Sequence, residues 1–230
     1  MFPELQRICQ ERGTYFSPCD LQWSKAHPQT QKGQMLTSAL NFIERCAPFF
    51  LGLIGERYGD HREPDDSLLS MKDEGSDWIE RNILLAAKSG YDWLLGKNVQ
   101  YKSLTELQIL YAGFKNSERR HLCHEDAENQ CFFYYRQPEH KDHLFSDYPP
   151  EERAELLKVF EPEDEFCNFN CRRLKGDIIK KGHTVRYFQK AEDLCNWVLA
   201  DWKAVIDEFC PPIYEALNIT NEKGNGVWAI

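Results

Sequence analysis

The stretch Pro48-Phe49-Phe50-Leu51-Gly52-Leu53-Ile54 is apolar at every position and predicts a β-strand covered on both faces, as in a parallel sheet between helices. The next residues, Gly55-Glu56-Arg57-Tyr58-Gly59, form the exit loop of this strand. In open α/β sheets, ligands bind at the loops that follow the carboxyl ends of the strands. The candidate residues for a ligand cleft are therefore Gly55, Glu56, Arg57, Tyr58 and Gly59.

Helices and strands are predicted to alternate along the chain on both sides of this strand. Apolar residues recur at helical spacing within residues 2–12, 34–46, 78–95, 103–114, 151–160, 166–180 and 194–209. Short aromatic runs predict further strands at 14–21, 131–136 and 185–188. Ser103 and Glu106 have the spacing of a capping box at a helix start. This order predicts an α/β fold with a mostly parallel sheet and helices on both faces.

Composition excludes several classes of protein. The chain has 230 residues, of which 42% are hydrophobic and 28% charged, as in a soluble globular domain rather than a fibrous or disordered chain. A net charge of -9 opposes binding to a nucleic-acid backbone. Neither a long apolar segment nor a signal peptide is apparent. Nine cysteines, an odd number at scattered spacings, fit a reducing compartment. We therefore predict a cytoplasmic protein that binds neither nucleic acid nor membrane.

Familiar motifs for phosphate or metal binding are not found. The glycines around the strand exit match neither a dinucleotide fingerprint nor a Walker loop, so we interpret them as turn residues. His121, Cys123, His124 and Cys131 could supply zinc ligands, but no paired C-x-x-C occurs and we predict no metal site. A cysteine nucleophile paired with a histidine stays an open alternative, although nothing local selects one.

Five stretches of the sequence form a recognisable series: Phe2-Pro3-Glu4-Leu5, Asp20-Leu21-Gln22-Trp23, Ile43 to Gly59, Thr105-Glu106-Leu107-Gln108-Ile109 and Cys131 to Arg136. In order and spacing they resemble an uncharacterised N-terminal domain of telomerase-associated protein, nephrocystin, and NACHT/WD-repeat or tetratricopeptide-repeat proteins. The resemblance extends from Phe2 to about Pro211, and its most specific part is the exit loop 55–59. Among these families, a tetratricopeptide-repeat protein is the favoured parent.

The resemblance implies a flavodoxin-like fold similar to Toll/interleukin-receptor (TIR) domains, over residues 1–211, followed by an unpatterned tail at 212–230. It also implies a non-enzymatic signalling or assembly module that works through protein contacts, with self-association left open. The first strand of the family is not found, because the sequence opens on the helix that should follow it. We therefore expect an N-terminally truncated domain, either a fragment or a short isoform of a larger protein.

The same resemblance raises the question of catalysis. TIR-like enzymes that cleave NAD use a glutamate on a helix facing the cleft, and the aligned position in this chain is Gln108. An amide cannot stabilise an oxocarbenium-like transition state as a carboxylate does. Glu106 lies two positions earlier, about 200° around the helix axis, and does not simply replace it. We therefore predict no cofactor and no activity. The alternative is an NAD glycohydrolase that uses Glu106, with Trp23 and Gln108 among the cleft residues.

Overall fold

The computed structural model describes residues 1–21, 28–64, 67–115, 130–139, 145 and 147–212. These residues form two compact units. The terminal unit combines Met1–Asp20 with the described residues from Phe188 onward, and the sheet unit runs from Leu21 to Tyr187. The His121, Cys123 and His124 run, Trp23 and most of the predicted tail lie outside the described residues.

The observed elements follow the predicted order closely. The helices are α1 (Phe2–Glu11), α2 (Pro28–Gln31), α3 (Met35–Arg45), α4 (Trp78–Lys88), α5 (Leu104–Ile109), α6 (Pro150–Lys158), α7 (Glu165–Lys180) and α8 (Ala191–Phe209). The strands are β1 (Phe49–Ile54), β2 (Gln130–Arg136) and β3 (Thr184–Phe188). A 3₁₀ helix at Asp92–Leu95 follows α4, and a π-helical turn at Leu110–Phe114 continues α5. Gly90, at φ +111°, ends the helical pattern after α4.

The strands form an open parallel sheet in a flavodoxin-like arrangement, with the order β1-β2-β3 among the described residues. β1 and β2 are paired in parallel from Phe49 opposite Gln130 to Ile54 opposite Tyr135. Because parallel strands end at the same edge of a sheet, the carboxyl ends of β1 and β2 lie side by side. This edge carries both the exit loop 55–59 and the start of the segment that leads to α6.

Two hydrophobic clusters hold the sheet unit together. One lies among α3, α4 and α5, and includes Leu36, Leu40, Leu84 and Leu107, each at most 1% exposed. The other lies between the sheet and α7. Its members include Ile54, Phe133, Cys167, Cys171, Leu174 and Ile178. Phe50 borders both clusters, so β1 connects them.

The prediction that β1 is covered on both faces was wrong at Leu53, which is 53% exposed. Successive side chains of a strand point to opposite faces, so Leu53 lies on the other face from Gly52 and Ile54. Gly52 and Ile54 are buried, whereas Leu53 is near the end of the first strand in the described sheet. An apolar run therefore does not guarantee that both faces are covered.

The predicted strand at 14–21 was also wrong, since residues 14–20 contain no strand. Within the terminal unit the Phe16 ring packs instead against Phe2 and Trp202, at centroid distances of 6.1 and 6.0 Å. Tyr15 is exposed. Aromatic residues favour strands because they pack on pleated surfaces, but here the same ring packs on helices.

Helices α1 and α8 pack together in the terminal unit, and Arg12 links them. Its guanidinium donates hydrogen bonds to the backbone oxygens of Ile206 and Cys210, at 3.0 and 2.8 Å, and forms an ion pair with Asp207. The guanidinium is a donor to the Cys210 carbonyl and a second donor to the Ile206 carbonyl, which already accepts from the Cys210 N–H, and its positive charge complements the end of α8. None of the helices in the described residues is long and apolar enough to cross a membrane.

Candidate functional site

Glu106 is the most unusual charged residue at the carboxyl edge of the sheet, because its side chain is fully buried. It lies in the first turn of α5, where Ser103 caps the helix by accepting a hydrogen bond from the Glu106 backbone at 3.1 Å. This is the first of the two hydrogen bonds of the predicted capping box. The prediction of the second bond was wrong, because the Glu106 carboxylate does not bond back to the start of the helix and binds side chains of other residues instead.

Three side chains donate to the Glu106 carboxylate. Arg173 of α7 donates from Nη2 to both oxygens, at 2.8 and 2.7 Å. Lys102 donates from Nζ to Oε1, and the Tyr58 hydroxyl donates to Oε2. We call Tyr58, Lys102, Glu106 and Arg173 the carboxylate clamp. It connects the loop after β1, the start of α5 and the middle of α7 within the sheet unit.

The clamp shifts the ionisation of its own members. Burial opposes the charged form of Glu106, but hydrogen bonds from Arg173, Lys102 and Tyr58 outweigh it and lower the pKa of the carboxyl. Burial, together with the hydrogen bond to Glu106, raises the pKa of Tyr58. Burial opposes the charged form of Arg173 too, yet its bonds to Glu106 raise the pKa of the guanidinium. At neutral pH the Glu106 carboxyl is therefore ionised, the Arg173 guanidinium is charged and the Tyr58 phenol is neutral.

The predicted cleft residues Glu56 and Arg57 are each engaged in an ion pair. Glu56 pairs with Arg136 at the end of β2, and both side chains are mostly buried. Arg57 donates to Glu163 at 2.6 Å, on the way into α7. The exit loop is therefore fixed by ion pairs to β2 and to the segment just before α7. Arg57 is more exposed than Glu56.

Two glycines in the exit loop allow close approach. At Gly55 a side chain would lie 2.6 Å from the Arg136 guanidinium. Gly59 has φ +93°, a left-handed conformation that favours glycine, and a side-chain carbon added there would lie 3.2 Å from the Thr105 hydroxyl. The interpretation of these glycines as turn residues therefore agrees with the geometry at Gly59.

Gln108 is not part of the carboxylate clamp. Its amide nitrogen lies 4.0 Å from the Met35 sulfur of α3, whereas Glu106 faces Tyr58 and α7. The two side chains thus lie on different sides of α5, as their separation along the helix requires. Of the predicted site residues, the structure brings Tyr58 and Glu106 into contact, places Gly55, Glu56, Arg57 and Gly59 beside them, and turns Gln108 toward α3.

His61 and Cys167 form the pair closest to a cysteine–histidine arrangement that we find in the described part of the chain. The Cys167 sulfur lies 3.9 Å from His61 Nδ1, and the His61 ring stacks on Phe166 at 5.0 Å. Burial, with the nearby Asp164, raises the pKa of the Cys167 thiol to about 12, so it stays protonated. A nucleophilic cysteine needs the opposite shift. Among the described residues, we find no group of three side chains that could hold a metal ion.

Sequence reasoning missed Lys102, Arg173 and Arg62. Lys102 could have been found, since it lies four residues before Glu106. Arg173 gave no signal, because it is far from Glu106 in sequence and sits among other basic residues. Arg62 is 2% exposed although it lies in the segment between β1 and α4, outside any helix or strand. Its guanidinium binds Glu80, the Gln100 side chain and the Ser67 carbonyl.

The comparisons with known proteins point to one group of large proteins. The chain is similar to part of tetratricopeptide repeat protein 41. It is 34% identical over 227 residues to that protein from Rattus norvegicus, and 30% identical over 233 residues to putative tetratricopeptide repeat protein 41 from Homo sapiens. A TPR repeat-containing protein from Dictyostelium discoideum is 25% identical over 212 residues.

These alignments cover nearly all of the chain but little of the relatives. They include 92%, 95% and 92% of the chain, and 16%, 16% and 11% of the respective relatives. The chain thus spans about a sixth of the length of tetratricopeptide repeat protein 41. No protein-family model matches the chain, and no solved structure matches it.

Proposed function

We propose that the chain is a TIR-like α/β module of a tetratricopeptide repeat protein and acts in the cytoplasm through contacts with other proteins, without catalysis. The similarity to tetratricopeptide repeat proteins supports the parent. The parallel sheet, with its candidate residues at the carboxyl ends of the strands, supports the resemblance to TIR domains.

The main support for a function without catalysis is the set of hydrogen bonds that the Glu106 carboxylate accepts. Its side chain has no exposure, and both carboxylate oxygens accept hydrogen bonds from Arg173. A carboxylate that assists the departure of nicotinamide must reach the ribose of the substrate. In the clamp the carboxylate instead pairs with both Arg173 and Lys102, and its position fixes α5 against α7. The role we propose for Glu106 is therefore structural.

Gln108 supports the same conclusion. It occupies the position at which the resemblance expects the catalytic glutamate, and its side chain contacts Met35 of α3. An amide cannot carry the negative charge that an oxocarbenium-like transition state requires. Of the two positions considered for a catalytic carboxylate, one holds an amide, Gln108, and the other holds Glu106, whose carboxylate is paired within the protein.

A second candidate function, cleavage of NAD, is favoured by one feature of the clamp. Buried acids with a shifted pKa beside cations are frequent in active sites, and this one lies at the carboxyl edge of a parallel sheet. In that case Arg57, which is about half exposed, would bind a phosphate of the substrate.

Incubation of the purified chain with NAD separates the two functions. We expect no release of nicotinamide above a buffer control, as measured by chromatography. Turnover that is lost in Glu106→Gln and retained in Arg7→Gln, an exposed arginine of α1, would establish the enzyme and reject the non-catalytic module.

Self-association is the one form of protein contact that can be tested with the purified chain and no second protein. Leu53 is a large apolar side chain, 53% exposed, on the first strand of the described sheet. Such strands can pair with another chain through their free edge. Sedimentation velocity should show concentration-dependent association that is weakened by Leu53→Lys and unchanged by Tyr15→Lys, a control at an exposed residue of the terminal unit. Equal effects of both substitutions would reject a role for β1.

A further inference from the structure

A cavity of about 360 Å³ opens at the carboxyl ends of β2 and β3, beside α7 and inside the sheet unit. Its lining includes Tyr135, Arg136, Arg172, Lys175, Ile179 and Tyr187. The volume lies at the lower end of the range for small-molecule sites, which is about 300–1,000 Å³. None of the clamp residues lines it, so it is distinct from the site described above.

The cavity carries positive charge that the described protein does not neutralise. Arg136 is paired with Glu56. Arg172 and Lys175 lie within ion-pair distance of no carboxylate among the described residues. Arg172 and Arg173 are adjacent on α7, and a helix turns about 100° per residue. Arg173 therefore faces Glu106, while Arg172 lines the cavity. Two cations left without acidic partners stand out in a chain of net charge -9.

One wall of the cavity is apolar and open to solvent. Ile179 is 48% exposed and Tyr187 is 52% exposed, although both are large hydrophobic side chains. The Tyr187 ring is held edge-on to Tyr135 at a centroid distance of 5.7 Å. Tyr135 is itself fixed, because its hydroxyl donates to the Lys175 carbonyl at 3.0 Å and its ring lies under the Lys175 ammonium. The wall is therefore preorganised and offers a flat surface for a ring.

We propose that this cavity binds a small organic phosphate, with its phosphate on Arg172 and Lys175 and its ring against Tyr187 and Ile179. Two cations match the two negative charges of a phosphate monoester, and an arginine fork binds phosphate oxygens with two parallel hydrogen bonds. The open apolar wall favours a phosphate attached to a ring over inorganic phosphate. A carboxylate would leave one of the two cations without a partner.

The test uses the full 230-residue chain and phenyl phosphate as the probe, with binding measured by calorimetry. We expect saturable binding that weakens roughly tenfold or more in Arg172→Gln and in Lys175→Gln, because each loses a charge-assisted hydrogen bond. Lys180→Gln is the matched control, since Lys180 is exposed on the same helix and does not line the cavity. The Lys180→Gln variant should bind phenyl phosphate as tightly as the unchanged chain does.

Inorganic phosphate measured in parallel tests the apolar wall. It should bind roughly tenfold more weakly than phenyl phosphate, and Tyr187→Ala should reduce that difference. Far-UV circular dichroism confirms that each variant is folded. The proposal is overturned by an absence of saturable binding, by equal affinity for the two probes, or by an equal loss in Lys180→Gln. A phosphotyrosine peptide that binds much more tightly than phenyl phosphate would assign the cavity to a protein partner instead.

Discussion

Arg173 bonds to Glu106 through a single nitrogen, Nη2, which lies 2.7 and 2.8 Å from the two carboxylate oxygens. The two residues are on different helices, α7 and α5, and one of the pair is completely buried. Removal of either partner from a buried pair leaves the other charge poorly solvated. The contact therefore commits α5 and α7 to one relative position.

Replacement of Glu106 by Gln should destabilise the chain. The amide keeps the size of the side chain but loses the negative charge that binds Arg173 and Lys102. We expect a loss of about 1–3 kcal/mol in the free energy of unfolding, as measured by urea denaturation at pH 7. Glu155→Gln is the control, because Glu155 is exposed on α6 and its pairing with Lys158 contributes little. An equal loss in both variants would contradict a special role for the clamp.

The contribution of Glu106 should depend on pH in a defined direction. The pKa of its carboxyl is lowered in the folded chain, so the unfolded chain binds the proton first as the pH falls. The stabilisation is fully present above the ordinary pKa of a glutamate and is lost as the pH falls through the lowered, folded pKa. The difference in unfolding free energy between the unchanged chain and Glu106→Gln should therefore shrink below about pH 4.5. A difference that stays constant down to about pH 3 would contradict this assignment.

Arg62→Met should open the segment that follows the exit loop. The guanidinium of Arg62 is buried and binds Glu80, and the Gln100 side chain that it contacts accepts from the Leu69 backbone at 2.7 Å. We expect a loss of about 3–5 kcal/mol in unfolding free energy. Hydrogen exchange at the Leu69 amide should accelerate. Arg7→Met, at an exposed arginine, should change both quantities little; slow exchange at Leu69 in Arg62→Met would reject the anchoring role.

Two glycine-to-alanine substitutions should have opposite effects on stability. A side chain at Gly52 would lie 2.5 Å from the Phe133 ring in the neighbouring strand, and the packed sheet leaves no room for it. Overpacking of this kind costs about 1–3 kcal/mol. Gly176, inside α7, has nothing within 4 Å of an added side chain, so alanine should stabilise the helix by about 0.5–1 kcal/mol. Urea denaturation of both variants measures the contrast, and equal effects would contradict the packing at Gly52.

Cysteine reactivity should separate exposed from buried thiols. Cys19 and Cys195 are exposed, whereas Cys167 is buried and its thiol pKa is raised to about 12. Brief alkylation at pH 8 followed by mass spectrometry should label Cys19 and Cys195 first and leave Cys167 unlabelled until the chain is unfolded. Rapid labelling of Cys167 in the folded chain would revive the alternative of a cysteine nucleophile paired with His61.

Local pattern predicted most of the elements of this fold. The apolar run at 48–54 became β1 and the aromatic run at 131–136 became β2, because each signal depends on neighbouring residues. The aromatic run at 14–21 predicted a strand that does not form, because this signal too depends only on neighbouring residues. A strand needs a partner strand, and local aromatic content does not reveal whether one is available.

The candidate site was only partly predictable. Tyr58 was identified because ligands of parallel sheets bind at the loops after the strands. Glu106 was identified only through the resemblance to TIR-like domains, as the acid of the alternative function, and its separation from Gln108 followed from helix geometry. The engagement of Glu56 with Arg136 and of Glu106 with Arg173 joins residues far apart in sequence. Charged side chains are usually solvated, so neither pairing had a sequence signal.

The sequence by itself determined the alternation of helices and strands, the position of the exit loop, and the presence of an amide at Gln108, since these depend on periodicity, turn residues and side-chain chemistry. Only the tertiary structure decided that Glu106 is buried, that Arg173 and Lys102 neutralise it, and that Arg172 and Lys175 are left to line a cavity. The physical reason is that burial and ion pairing are properties of surfaces brought together by folding. Adjacent arginines on one helix can therefore have different surroundings.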